Sequence, residues 1–221
     1  MKYTYFKMLF IIASILSSSV VFAQSGTIYC FFFTIDPDLT NYIKIDDHSR
    51  KWLSGYSEST TMPDQLIDSI KMKTEEAFTN KLKMPVKSCY HKNKKGEDVG
   101  SIGVFGQLEG LASNTFNGSK KDCPGNSQYI YLDVKIYPSE GTSITLVKTK
   151  SKLQPRLEIT TKVLDENKNK VWSKSIVIKD FEKIRSETKY YGSVEVTKSE
   201  VLTPFDIYAM YLMGLDKLMS E

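Results

Sequence analysis

The chain has 221 residues, of which 41% are hydrophobic, 25% charged and 12% aromatic. That mixture sets aside long disorder, collagen and a coiled-coil rod. Thirty bases against 26 acids give +4, and only three of the bases are arginine (Arg50, Arg156, Arg185). With so few guanidinium forks to grip phosphates and base edges, nucleic acid is not an expected partner.

Residues 1–23 read as an export signal. Lys2 and Lys7 form a basic start, Met8 to Leu16 is apolar and uncharged, and Val21-Phe22-Ala23 suits a signal peptidase cutting after Ala23. The uncharged stretch falls short of the roughly 20 residues that cross a bilayer as a helix. Loss of Lys2 and Lys7 would take the formal +4 to +2. The expected product is a soluble periplasmic or secreted protein with no integral membrane segment. Residues 24–221 are expected to form one α+β domain, loop-rich at 36–62 and 96–126.

Thr27 to Ile35 is a continuous apolar and aromatic run, as in a strand buried on both faces. Asp36-Pro37-Asp38 ends it, and Trp52 and Tyr56 are candidate anchors in the polar stretch that follows. Asp64 to Lys83 has a helical pattern: Leu66, Ile67, Ile70, Thr74, Ala77, Phe78 and Leu82 share one face. Thr61, Pro63 and Asp64 suggest a capped start, and Pro85 a stop.

Cys30, Cys89 and Cys123 remain in the exported chain. Cys30 lies inside the buried run, so Cys89 and Cys123 are the expected disulfide, with Cys30 as the alternative partner of either. Their bridge would close a loop of about 35 residues and restrict the unfolded chain by roughly 3–4 kcal/mol. Gly100, Gly103, Gly106 and Gly110 form neither a dinucleotide fingerprint nor a phosphate loop.

Tyr129 to Tyr137 alternates, with Ile130, Leu132, Val134 and Ile136 inward and Tyr129, Tyr131, Asp133, Lys135 and Tyr137 outward. Ser143 to Lys150 is a shorter candidate strand. Arg156 to Leu164 and Val171 to Lys179 flank a polar turn at Asp165 to Lys170, and Tyr190 to Lys198 adds another strand. That turn has a calcium-loop look at Asp165, Asn167 and Asn169 but lacks glycine at position 6 and glutamate at position 12. Lys92 to Lys95 and Lys148, Lys150 and Lys152 read as solvated faces, with an anionic lipid or glycan surface as the alternative.

The chain closes with a helix. Thr203 is the expected N-cap, Pro204 the first helical residue, and Asp206 complements the positive end of the dipole. From Phe205 to Met219 it is apolar almost all round, including Tyr208, Met210, Tyr211 and Met213. Such a helix is buried on more than one side, either between layers or against a partner.

Only His48 and His91 are present, without zinc-protease, C-x-x-C or nucleophile-elbow spacing. No cofactor or metal is expected. The sequence therefore points to a mostly antiparallel sheet with the amphipathic helix and the C-terminal helix packed on one face. The expected function is non-catalytic binding of a protein or envelope component. Candidate contacts are Tyr129, Tyr131, Tyr208, Met210, Tyr211 and Met213, with homo-oligomerisation through the last helix a further possibility. The alternatives are a small enzyme using Cys89, His91 and Asp122, and a secreted effector or its cognate inhibitor.

Overall fold

The computed structural model describes residues 24–36, 39, 63–92, 94–95, 98–99, 116–145, 148–191, 194–199 and 201–220. Residues 1–23, His48, Trp52 and Tyr56 lie outside the described residues. Among the described residues nine strands occur in chain order: β1 Gly26–Ile35, β2 Val86–Ser88, β3 His91–Lys92, β4 Asp98–Val99, β5 Gln128–Thr145, β6 Lys148–Asp165, β7 Lys170–Ile178, β8 Ile184–Tyr191 and β9 Val194–Ser199. The helices with described bounds are α1 Asp64–Leu82, α2 Phe116–Asp122 and α3 Pro204–Met219. The main sheet runs β2-β1-β5-β6-β8-β9, with β7 also beside β6. β1 is parallel to β2 and β5, and the other pairings are antiparallel. The α+β class and the antiparallel majority follow the sequence expectation.

β5 and β6 are each 18 residues long and pair without a shift from Gln128↔Asp165 to Thr145↔Lys148. At the usual strand rise such a hairpin is about 60 Å long, more than twice an ordinary strand. The half near Leu157 forms the body with β7, and the half near Lys148 forms an arm with β8 and β9. The candidate strand Ser143 to Lys150 is therefore the tip of this hairpin. Likewise Tyr190 to Lys198 spans the reversal between β8 and β9, where Tyr191 pairs with Val194.

One face of the body carries the core. Ile28, Phe33, Ile130, Leu132, Val134, Leu157, Ile159 and Val163 are wholly buried there beneath α1 and α3. α1 contributes Leu66, Ile67, Ile70 and Phe78, while its charged residues stay outside. Pro63 is its N-cap, with no side-chain cap bond among the described residues, and Thr61 of the expected capped start lies outside them. Lys83, in the left-handed region at φ 56°, ends the helix two residues before Pro85.

A bulge between Ile28 and Cys30 places Tyr29 opposite no partner residue on β5. It lets Ile28 and Phe31 both face the core, while Tyr29 and Cys30 join a second cluster with Tyr129 on the other face. α2 covers that cluster, and its Phe116 ring lies 5.2 Å from Tyr129 and 6.3 Å from Tyr29. The stretch 96–126 thus holds β4 and α2, a helix its glycine-rich composition concealed. Cys89, just after β2, is bonded to Cys123 at the end of α2.

Candidate functional site

α3 is closed at both ends by specific groups. The Asp206 N–H donates to Thr203 Oγ1 (3.2 Å) and the Thr203 N–H donates to Asp206 Oδ2 (2.7 Å), a reciprocal box with Pro204 between. At the far end Lys81 Nζ donates to the Met219 carbonyl (3.4 Å) and Lys174 Nζ to the Lys217 carbonyl (3.3 Å). These cations sit where the helix carries its negative partial charge. The helix is thereby fixed to α1 and β7, so what it presents outward is presented in one orientation.

Its inner face is Ile207, Met210, Tyr211, Gly214, Leu215 and Leu218, all buried. Thr74 Oγ1 donates to the Ile70 carbonyl at 2.5 Å, which uses its only hydrogen, so the Tyr211 hydroxyl donates to Thr74 Oγ1 at 2.5 Å. The Tyr211 ring packs 5.5 Å from Phe33 and 6.2 Å from Phe31. Burial raises the phenol's pKa well above its ordinary value.

The outer face is different. Phe205 is 67% and Met213 54% exposed, with Ala209 exposed between them, and Tyr208 and Leu212 are half-buried alongside. Val201, 51% exposed, extends the strip just before the helix. Beside it runs a groove of about 860 Å³ with Phe181, Ile184, Leu202 and Met210 in its walls and Lys183 and Asp206 at its edge. Apolar side chains at positions i, i+4 and i+8 on the solvent side of a helix leave an unsatisfied face.

The structure sorts the side chains picked from sequence. Met213 lies on this strip, and Tyr208 borders it. Met210 is buried in the groove wall and Tyr211 is in the core, so neither offers the open contact expected of it. Tyr129, expected outward, is 2% exposed because α2 covers it. Tyr131 is half-buried, its ring 5.8 Å from Phe32 and 5.9 Å from Lys162 Nζ. Phe205, Ala209 and Val201 join the strip beyond the contacts expected from sequence, and the 205, 209, 213 spacing is the signal that marks the first two.

The thiol that a Cys89 nucleophile needs is instead bonded to Cys123. Asp122 is exposed beside that bridge, and the described backbone of His91 lies in β3. Cys30 is free and buried. Burial, followed by the nearby Asp133 charge, pushes its thiol up to about 12. At Asp165 the carboxylate accepts bonds from the Asn167 and Asn169 N–H groups, both 2.8 Å, and from Asn169 Nδ2 at 2.9 Å. This is the expected polar turn. Among the described residues no three His, Cys, Asp or Glu side chains gather in a metal-binding group, and no helix is long and apolar enough to cross a membrane.

No protein family matches the chain, and no curated protein does. One solved structure similar to it is a neuraminyllactose-binding hemagglutinin homolog from Helicobacter pylori. The likeness has 10% identity and a TM-score of 0.34 over 90% of this chain and 80% of that one. A likeness that weak shows neither a shared fold nor a shared ligand.

Proposed function

We propose that this is an exported, non-catalytic protein that works by binding another protein through the outer strip of α3. The observation that carries this reading is the pair Phe205 and Met213, each more than half exposed on a helix whose opposite side is locked into the core. Large aromatic and methionine side chains held on a rigid element make effective contact surfaces. Export is supported by the leader-like residues 1–23 and by the Cys89–Cys123 bridge, which suits an oxidising compartment.

A photo-crosslinking residue at Ala209, expressed in the native compartment, is expected to yield a discrete adduct. Phe205→Asp with Met213→Asp should reduce that adduct at least about 10-fold, because charge is introduced where apolar area would be buried. Both sites are exposed, so thermal stability should stay within roughly 0.5 kcal/mol per site. An adduct of twice the chain mass would identify the partner as a second copy. Undiminished adduct from the double variant, or none from the parent, would overturn the proposal.

The Cys–His alternative has its own check. Alkylation requires a thiolate, and Cys30 is both buried and held protonated at neutral pH. Without reductant, iodoacetamide should add nothing to the native protein and one group after unfolding in denaturant. Three additions after unfolding would mean that Cys89 and Cys123 are free, and would revive the enzyme.

A further inference from the structure

We infer that the arm built from the distal halves of β5 and β6 with β8 and β9 carries a second binding surface, and that it fits the face of an anionic phospholipid bilayer. The inference rests on register. Residues directly opposite one another in paired strands share a face of the sheet, as do alternate residues along a strand. Lys148, Lys150 and Lys152 pair with Lys189, Glu187 and Arg185, and Glu187 in turn pairs with Lys198. One face of the arm therefore holds six basic positions and one acidic position. The leader-free chain carries only +2, so with +5 on this face the positive charge is concentrated here and the remainder of the molecule is net −3.

α1 and α3 pack on the other face of this sheet, while α2 covers Tyr129 on this one, at the body end away from the arm. The odd-numbered residues of β6, including Leu153, Leu157 and Ile159, lie in the core beneath them. The even-numbered positions Lys148, Lys150 and Lys152 belong to the face without α1 and α3. Alternate positions on a strand are roughly 6.8 Å apart and neighbouring strands about 4.8 Å apart, which makes a two-dimensional grid of charge. A single linear polyanion would need only one file of bases, whereas a planar array of headgroups meets them all. Five of the six are lysine, a point charge suited to diffuse attraction, not to bidentate recognition. At the arm's tip the same face holds Tyr191 paired with Val194, and Lys189 paired with Val196. Aromatic and apolar residues among lysines suit the interfacial layer of a bilayer.

Apart from Arg185, which also lines the groove beside α3, this surface is separate from the strip on α3, and the two can be tested apart. The leader-free chain, residues 24–221, is floated with vesicles of phosphatidylcholine alone or of equimolar phosphatidylcholine and phosphatidylglycerol at roughly 0.1 M salt. It should float with the second and not the first. Lys148→Gln, Lys150→Gln and Lys152→Gln together should weaken partitioning by roughly 100-fold, and the corresponding triple Lys→Arg variant should retain it. Removing the same charge from α1, with Lys71→Gln, Lys73→Gln and Lys81→Gln, should change it less than about 2-fold. Phe205→Asp with Met213→Asp should float like the parent, whether or not the α3 proposal survives. Absence of flotation, equal weakening by both lysine-to-glutamine triples, or retention on sulfated dextran but not on vesicles would overturn the inference.

Discussion

Replacing Cys89 and Cys123 together by alanine should lower the midpoint of thermal unfolding by roughly 10 °C, given about 3–4 kcal/mol for the loop and roughly 2–4 °C per kcal/mol at this chain length. The cross-link joins residues 34 apart in sequence, so most of its effect comes from the unfolded chain it restrains. A local consequence should accompany the global one. α2 has only seven residues, too few to persist as an independent helix. Apart from the bridge, it is held by Phe116 packing on Tyr29 and Tyr129 and by Lys120 Nζ donating to the Glu166 carbonyl at 2.7 Å. Without the bridge α2 should open more often and uncover the cluster that contains Cys30. Cys30 should then react with iodoacetamide in the native protein, which it does not do in the parent. Reduction of the parent by dithiothreitol should reproduce both effects. An unchanged midpoint together with continued protection of Cys30 would show that the bridge neither stabilises the fold nor secures α2.

What could be read from the sequence follows from how local each cause is. The body strands carry period-two alternation that survives in isolation, which points Ile130, Leu132, Val134 and Ile136 inward, where they are wholly or almost wholly buried. The cap of α3 is a four-residue device, and Thr203, Pro204 and Asp206 take the expected positions. Failures occur where a distant element decides. Tyr129 looks outward by alternation, but α2 lies over it, and no pattern near Tyr129 announces that helix. Tyr211 looks like a contact residue until Phe31, Phe33 and Thr74, from two other elements, surround it. The apolar residues around α3 leave two outcomes open, burial between layers or a side that meets a partner. They decide neither the outcome nor the side, because both depend on where β6 and α1 approach. The arm is not legible in the sequence because the tip of its long hairpin resembles one strand: Ser143 to Lys150 has β-forming residues on both sides of the reversal.

The approach of α3 to β6 is set by Gly214, and Gly214→Val should cost about 3 kcal/mol, a drop of roughly 6–12 °C in the unfolding midpoint. A Cβ at this position would collide with Leu157 Cδ2 and lie 2.7 Å from Ile159 Cδ1. Neither side chain can retreat into solvent, because both are fully buried in the centre of the core. Alanine separates the competing effects. It gains up to about 1 kcal/mol in helix propensity over glycine, so Gly214→Ala should be distinctly milder than Gly214→Val. Making room at Leu157 tests the mechanism directly. In a Leu157→Ala background, Gly214→Ala should be less costly by at least about 1 kcal/mol, since the two positions touch and should couple. Additive losses would show that the glycine is there for another reason. If the coupling is found, glycine's missing side chain keeps α3 seated on the sheet, and that seating turns Phe205 and Met213 to the solvent as a fixed pair.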